Sequence, residues 1–431
     1  MTVLTSPSLF RFITTFMQGL PLAVLQFESA RVPAYRFRTA DVFPKRIGRL
    51  PQIAVAENNR KMVEMLYGLH ASALPYYREM AKLDFKEVLH CAAFFGRLEL
   101  LEWLVSKMQI KSKNDRVEQT KHLMKYAAQS GNIELLEWVH RRFPGKLSRH
   151  DIVNQAGCGE LAVVKWIFDH QSGYYGEAMY EAARYGRLDV VCFLHEQSPE
   201  PTVTNPSAMD VAAKNGHLNI VKFLHYNRSE ECSTLAMNNA AAYGYLEIVR
   251  FLHEHRSEGC STAAMNCAAR GGHLGVVGFL HEHRHEGCTI SAMDYAARYG
   301  HLEIVQFLHG HRTEGCSAQA MDDAAKFGHF HVVQFLHHNR WEGCTTNAMD
   351  AAAARGDLDI LKFLHDHRSE GCTTEAIDIA AANGHSLVVH FLTAYRHEGF
   401  TYRAIAGATK NGHAHLATFL TAERAAVASK Q

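Results

Sequence analysis

The chain has 431 residues, of which 47% are hydrophobic and 21% are charged, and its formal net charge is +1. This composition is typical of a soluble folded protein, and the small net charge excludes a bulk electrostatic attraction for nucleic acid or acidic membranes. No stretch approaches the ~20 apolar residues that a membrane-spanning helix needs. The length exceeds what one globular core usually holds, so several domains or a repeat array are expected.

Residues 1–45 do not share the periodicity of the rest of the chain. The segment 10–25 is moderately apolar and no acidic residue precedes Glu28, which is compatible with a signal or transit peptide. However, no basic residue precedes Arg11 and no small-residue cleavage site is evident. We predict a non-repeat N-terminal cap. The alternatives are a targeting segment within residues 1–30 and a docking motif that recruits other machinery.

A 28-residue repeat follows, from about residue 46 to 420, and it is most regular over 207–420. Glycines mark its period at Gly216, Gly244, Gly272, Gly300, Gly328, Gly356, Gly384 and Gly412. A fixed period of 20–50 residues is the signature of a stacked repeat array. We count about 13 copies, including a weak first copy at 53–66. Residues 421–431 form a short tail that is expected to fray or cap the array.

Each repeat has the pattern of two helices. A Ser or Thr suited to an N-cap, such as Ser317, precedes a first helix that carries Ala-Met and Ala-Ala on one face. The glycine then supplies the left-handed turn that ends a helix. The second helix, for example 302–309, is apolar over a wide arc and is followed by a short loop. No segment has the pattern of a strand, so the predicted fold is all-α, made of stacked helix-turn-helix repeats.

Residues 296–308, Ala-Ala-Arg-Tyr-Gly-His-Leu-Glu-Ile-Val-Gln-Phe-Leu, closely resemble the helical core of the ankyrin repeat family. Two features depart from the family. Met293 and Asp294 replace the Leu and His of its Thr-Pro-Leu-His opening, and the unit has 28 residues where the family has about 33. The resemblance implies a curved α-solenoid whose first helices line the concave face and bind proteins. The missing residues imply little or no β-hairpin between repeats.

The 29 histidines raise the question of a metal site. Residues two apart on a helix face away from each other, and helices of neighbouring repeats lie roughly 10 Å apart, too far for shared zinc ligands. The motif His-Glu-x-x-His occurs once, at 281–285, but it lies at a helix end beside a loop. We therefore predict that the histidines pack and cap helices. No metal, cofactor or catalytic residue is predicted, and a metal-dependent enzyme is only a remote alternative.

Three other residue types recur once per repeat. Six of the ten cysteines occupy equivalent positions, too far apart for disulfides, so they are predicted to be reduced and buried. Asp294 and its equivalents are expected to hydrogen-bond to the turn of a neighbouring repeat. Arg and Glu residues two apart, such as Arg312 and Glu314, could form charge ladders along one edge. An exposed pair contributes only ~0–1 kcal/mol, so we predict solvated structural charges and not a recognition site.

The positions that differ between repeats are the candidates for function. They lie before each glycine and after the recurring Asp or Asn, and they carry aromatic and basic residues, which anchor protein interfaces. The predicted partner-binding residues are Arg184, Tyr185, Tyr243, Tyr295, Arg298, Tyr299, Lys326 and Phe327.

Together these features predict a non-enzymatic, cytoplasmic and monomeric scaffold that binds a protein partner through residues 180–330, and binds neither nucleic acid nor membranes. The alternative function is a substrate receptor, adaptor or host-directed effector in which residues 1–45 dock or localise the protein. Secretion or organelle targeting through residues 1–30 stays open.

Overall fold

The computed structural model describes residues 24, 26–27, 50–71, 85, 87–108, 122–171, 173–198, 207–229 and 232–428. These residues form 26 α-helices and no strand, which confirms the predicted all-α class. The predicted N-terminal segment 1–45 lies outside the described residues, apart from Val24, Gln26 and Phe27. No described helix combines the length and the apolar character required to cross a bilayer.

The chain divides into two compact units. The N-terminal unit comprises residues 1–182 and 187–199, and the C-terminal unit comprises 183–186 and 200–431. The helices α1–α10 begin in the N-terminal unit, and the last residues of α9 belong to the C-terminal unit. They are α1 (Leu50–Ala56), α2 (Arg60–Ala71), α3 (Val88–Phe94), α4 (Leu98–Lys107), α5 (Leu123–Gln129), α6 (Ile133–Arg142), α7 (Arg149–Cys158), α8 (Leu161–His170), α9 (Tyr175–Arg184) and α10 (Leu188–Gln197).

The C-terminal unit contains sixteen further helices, which alternate between the first and the second helix of a repeat. They are α11 (Ala208–Lys214), α12 (Leu218–Asn227), α13 (Thr234–Ala242), α14 (Leu246–His255), α15 (Thr262–Gly271), α16 (Leu274–His283), α17 (Ser291–Arg298), α18 (Leu302–His311), α19 (Ala318–Phe327), α20 (Phe330–Asn339), α21 (Thr346–Arg355), α22 (Leu358–His367), α23 (Thr374–Ala382), α24 (Ser386–Tyr395), α25 (Tyr402–Lys410) and α26 (Ala414–Ala428). Helix α26 continues past Leu420, so most of the segment described above as a tail is helical.

The core of the N-terminal unit is built from leucines at helical spacing. Leu100, Leu101 and Leu104 of α4 are at most 1% exposed, and Leu135 and Leu136 of α6 are completely buried. Asn132 caps α6, because its side chain accepts a hydrogen bond from the Leu135 backbone N–H at 3.0 Å. The apolar face of each second helix is therefore buried against its own repeat, as its wide apolar arc requires.

The predicted caps hold the first helices of the C-terminal unit. The Thr345 side chain accepts a hydrogen bond from the Asn347 backbone N–H at 3.1 Å, and Ser317 caps α19 in the same way. These contacts satisfy N–H groups that have no partner inside the helix. Small residues such as Ala324 and Ala325, both completely buried, let successive first helices pack closely along one another.

The glycine at the turn between the two helices has a conformation that other residues avoid. Gly300 has a φ of +77°, in the left-handed region. A Cβ at this position would also lie 2.5 Å from Nδ1 of His329, the residue that follows the turn glycine of the next repeat. The glycine is therefore required both by the backbone of its own turn and by the ring packed against it.

Gly300→Ala should lower the free energy of unfolding by about 1–2 kcal/mol, because alanine is strained in the left-handed region. The control is Gly278→Ala, in the middle of α16, where a new Cβ would meet no atom within 4 Å. It should be neutral or stabilising by up to about 1 kcal/mol, because alanine favours helix over glycine. Urea denaturation of both variants measures the contrast. Equal effects would contradict a special role for the turn glycine.

Candidate partner-binding surface

The eight predicted partner-binding residues all belong to the C-terminal unit. Arg184, Tyr295, Arg298, Lys326 and Phe327 lie on first helices. The remaining tyrosines lie in the turn directly after a first helix, at Tyr185, Tyr243 and Tyr299. The two residues before each turn glycine follow the buried Ala-Ala pair, so the helix directs them away from the core. All five aromatic residues are between 37% and 53% exposed.

Four of these residues come together where α17 meets α19. The Arg298 guanidinium lies 5.9 Å from the ring centre of Tyr299 and 5.3 Å from that of Phe327. The Lys326 ammonium lies 5.8 Å from the Phe327 ring centre. We call Arg298, Tyr299, Lys326 and Phe327 the aromatic–basic cluster. Cation–π contacts of this kind favour the observed arrangement of cation and ring, by about 0.5–1 kcal/mol each at exposed sites.

The other predicted residues are arranged differently. Tyr295 lies one helical turn before Arg298 on α17, beside the cluster. Arg184 lies over the Tyr185 ring at 5.4 Å and makes a separate pair. Tyr243 stacks on Tyr245, with ring centres 6.3 Å apart. The structure therefore brings half of the predicted set into one cluster and distributes the rest along the same series of turns.

A groove of about 490 Å³ adjoins the cluster on the surface of the first helices. Its floor is low because α21 presents Ala351 where both neighbouring first helices carry larger side chains, and Ala354 where α19 carries Lys326. Asp323 and Lys326 of α19 form one wall, and Glu375 and Ile379 of α23 form the other. Lys326 belongs to both the cluster and the groove, and Arg298 lies 3.8 Å from the Asp323 carboxylate, so the two features are continuous.

This groove was not predicted from the sequence. The sequence feature that marks it is Ala351, at a variable position of α21 where the neighbouring repeats carry Asp323 and Ile379. A small side chain leaves a depression only if the neighbouring helices are close enough to form its walls. The spacing of those helices cannot be inferred from the sequence of a single repeat.

The recurring aspartates have the predicted structural role. Asp322 Oδ1 accepts a hydrogen bond from the Thr345 N–H at 2.7 Å, and Oδ2 accepts one from the Thr345 hydroxyl at 2.6 Å. The same two bonds join Asp350 to Thr373. Burial raises the pKa of Asp322, and the bonds to Thr345 act in the opposite direction. Each aspartate therefore links one first helix to the cap of the next.

The prediction that the recurring Arg–Glu pairs are solvated charges is wrong. Glu342 accepts hydrogen bonds from the Arg340 guanidinium and from the Cys316 N–H of the preceding repeat, the latter at 3.3 Å. The two side chains are only 16% and 11% exposed. The Arg340 guanidinium packs directly against Gly315. A Cβ at Gly315 would lie 2.6 Å from Nη2 of Arg340, so the glycine permits this close approach. We call each such pair an inter-repeat clamp.

The clamp recurs along the unit with nearly constant geometry. The bond from the backbone N–H to the glutamate is 3.2–3.4 Å in five successive repeats. The clamp pairs are Arg256–Glu258, Arg284–Glu286, Arg312–Glu314, Arg340–Glu342, Arg368–Glu370 and Arg396–Glu398. Arginine and glutamate two residues apart therefore belong to the framework and are not candidates for partner recognition.

The histidines pack and cap helices, as predicted. His311 stacks on Phe307 at 4.4 Å and hydrogen-bonds through Nδ1 to the Phe307 carbonyl at 2.9 Å. The expected separation of roughly 10 Å applies to equivalent positions of neighbouring repeats. Non-equivalent rings come closer: His281 lies edge-on to His311 of the next repeat, with ring centres 5.6 Å apart.

The His-Glu-x-x-His sequence at 281–285 does not form a helical metal site. Helix α16 ends at His283, so His285 lies beyond it, and His281 packs against Phe307. Within the described ranges, no group of three or more His, Cys, Asp or Glu residues is placed to hold a metal ion. This sequence match arises from the chance identity of one loop residue.

All ten cysteines are free thiols, which confirms that the recurring ones form no disulfides. Cys316 is 8% exposed, and burial together with the nearby Glu342 charge raises the pKa of its thiol to about 12. The thiol therefore stays neutral near pH 7 and is a poor nucleophile. The position serves packing, consistent with Phe400 in the equivalent slot of the last repeat.

These features define a class: a helical repeat protein in which each unit is two helices joined by a left-handed glycine turn. A family model described as "Ankyrin repeats (3 copies)" matches residues 179–260, 209–294 and 237–322, and one described as "Ankyrin repeats (many copies)" matches 321–365 and 349–393. The chain belongs to the ankyrin repeat family, as its sequence resemblance implied. No curated protein matches it. Ankyrin repeats serve as protein-interaction scaffolds, and proteins built from them are generally non-enzymatic.

Proposed function

We propose that the protein is a monomeric, non-enzymatic scaffold that binds a protein partner through the first-helix face of residues 180–330. The observation that carries this proposal is the aromatic–basic cluster. Its rings are exposed, yet arginine and lysine contacts orient them. Arginine and tyrosine are enriched among the residues that dominate binding energy at protein interfaces.

The packing of the C-terminal unit supports the choice of face. Successive first helices pack along one another over much of their length, whereas successive second helices meet at fewer points. Elements that pack more closely lie on the inner side of a curved stack. The cluster and the adjoining groove would then line a concave surface, where one partner can contact several repeats at once.

The framework contacts leave this face available. Aspartate bonds, inter-repeat clamps and histidine stacks account for most of the recurring polar residues. No aspartate bond or clamp uses the Tyr299 or Phe327 side chain, and Tyr299 meets one framework histidine, His301, with stacked ring centres 6.5 Å apart. The residues that vary between repeats are therefore the ones that remain exposed for a partner.

Affinity capture with the full chain, followed by mass spectrometry, tests the proposal. Tyr299→Ala combined with Phe327→Ala should reduce recovery of the specific partner about tenfold or more, because anchor truncation typically costs over 1 kcal/mol per residue. The matched control is Tyr226→Ala with Tyr395→Ala, which removes two exposed tyrosines from second helices. The control should recover the partner as the unaltered chain does. Equal recovery by the cluster variant and the unaltered chain would contradict this binding face.

A further inference from the structure

Four successive first helices end in a cation. Arg270 lies in the last turn of α15, Arg298 in that of α17, Lys326 in that of α19 and Arg355 in that of α21. Their spacing in sequence is 28, 28 and 29 residues. Arg270, Arg298 and Lys326 occupy equivalent positions, so they form a row along one border of the first-helix face. Arg355 extends the row from the next position along its helix, and its guanidinium packs beside the Gly328 turn. We call the four residues the basic edge.

The cations of the basic edge have looser carboxylate contacts than the clamp arginines. Among the described residues, the nearest carboxylate oxygens lie 3.8 Å from Arg298 and 4.0 Å from Arg355, beyond hydrogen-bonding distance. These two side chains are 41% and 52% exposed. In contrast, Arg340 is 16% exposed and bonds directly to Glu342. The cations of the basic edge are therefore less tightly paired and more accessible to an acidic partner than the clamp arginines.

The spacing of the basic edge constrains the shape of such a partner. Packed helices lie roughly 10 Å apart, and an extended peptide advances about 3.3 Å per residue. Three residues of extended chain therefore match the step from one cation to the next. Two exposed rings, Tyr299 and Phe327, lie along the same border and offer apolar contacts between the charges.

We propose that the basic edge binds an extended protein segment with a Glu or Asp at every third residue. The segment pairs its carboxylates with Arg270, Arg298, Lys326 and Arg355 in turn. The Asp323 and Glu375 carboxylates that line the groove repel negative charge. A peptide with one carboxylate every third residue can keep its acidic side chains on the basic edge and turn neutral residues toward the groove, whereas a continuous phosphate backbone cannot. This inference rests on the proposed function and specifies the chemistry of the partner.

Fluorescence anisotropy with the full chain and labelled 12-residue peptides provides the test. One peptide carries Glu at every third position in a Gly/Ser/Ala background, and the second has the same composition with its four Glu residues adjacent. The periodic peptide should bind at least about threefold more tightly, since only it can meet all four cations. Affinity should fall as salt is raised, because exposed charge pairs are screened.

A variant pair locates the binding. Arg298→Ala with Lys326→Ala should weaken the periodic peptide about 5- to 10-fold, from two lost ion pairs of ordinary strength. The matched control is Lys222→Ala with Arg250→Ala. These residues also place cations over rings, Phe251 and Phe279, but they lie on second helices. The control should bind as the unaltered chain does, and circular dichroism should show equal helix content in both variants.

Several outcomes would overturn the inference. Equal binding of the two peptides would refute the three-residue register, and equal affinity of the two variants would refute the basic edge. Tighter binding of a single-stranded oligonucleotide than of the periodic peptide would indicate a nucleic-acid surface instead. If neither peptide binds while Tyr299→Ala with Phe327→Ala still loses the captured partner, the proposed function holds and the acidic segment is wrong.

Discussion

Glu342→Ala is expected to lower the free energy of unfolding by about 3 kcal/mol, since it leaves a largely buried guanidinium without its partner. Glu342 accepts bonds from Arg340 and from the Cys316 N–H, so its removal breaks contacts within one loop and between two repeats. Urea denaturation followed by circular dichroism measures the loss. A matched control is Glu303→Ala, an exposed glutamate on α18, which should change stability by less than about 0.5 kcal/mol.

The clamps also predict how stability depends on pH. Hydrogen bonds from Arg284 lower the pKa of the Glu286 carboxyl to about 2, against the opposing effect of burial, and Arg396 does the same for Glu398. The carboxylates titrate near 4.5 in the unfolded chain. Their stabilising contribution is therefore complete above pH 4.5 and is lost as the pH falls toward 2. Glu286→Gln should flatten this acid limb, and an unchanged limb would contradict the clamp.

Asp322→Ala is expected to cost about 2–3 kcal/mol, because it removes both bonds to Thr345 from a carboxylate that is 3% exposed. The chain itself supplies the conservative comparison. Asn238 occupies the position equivalent to Asp322 three repeats earlier. Its side chain donates a hydrogen bond to the Ser261 hydroxyl at 2.9 Å and accepts one from the Ser261 N–H at 3.0 Å.

Asp322→Asn should therefore cost less than about 1 kcal/mol, since the amide can make the same two contacts. Hydrogen exchange at the Thr345 amide reports the bond directly. Exchange should accelerate strongly in Asp322→Ala and little in Asp322→Asn. If the two variants behaved alike, the charge and not the bonding pattern would determine the contribution of this position.

The fold was predictable because the signals that define each helix lie within its own repeat. The cap at Thr345, the Ala-Ala pair and the turn at Gly300 act within a few residues, and each recurs often enough to establish the period. The aspartate bonds were also predictable, since a polar residue at one fixed position of a buried helix face must find a partner in the adjacent repeat.

The inter-repeat contacts were harder to infer. In the sequence, nothing distinguishes Arg340 and Glu342 from ordinary surface charges. Gly315 and Cys316 contact them only because the loops of successive repeats stack. In the same way, the contact between His281 and His311 joins non-equivalent positions, so the 28-residue period conceals it. Contacts of this kind depend on the offset between repeats, which is a property of the stack.

For the candidate binding surface, the sequence identified the residue types but not their grouping. Arg298, Tyr299, Lys326 and Phe327 were selected because they vary and because they are aromatic or basic. They form one cluster because the Arg298 side chain extends from α17 to the Phe327 ring on α19. The groove depends on the small alanine side chains of α21. Their effect is recognisable only when the side chains of the neighbouring helices are in place.

Site-specific photo-crosslinking tests the central claim, that the first-helix face contacts the partner, most directly. A photoreactive amino acid would replace Tyr299 on the proposed face in one variant and the exposed Tyr226 on a second helix in another. The proposed function predicts one partner protein crosslinked from position 299 and none from position 226. Crosslinking to that partner from 226 but not from 299 would contradict it.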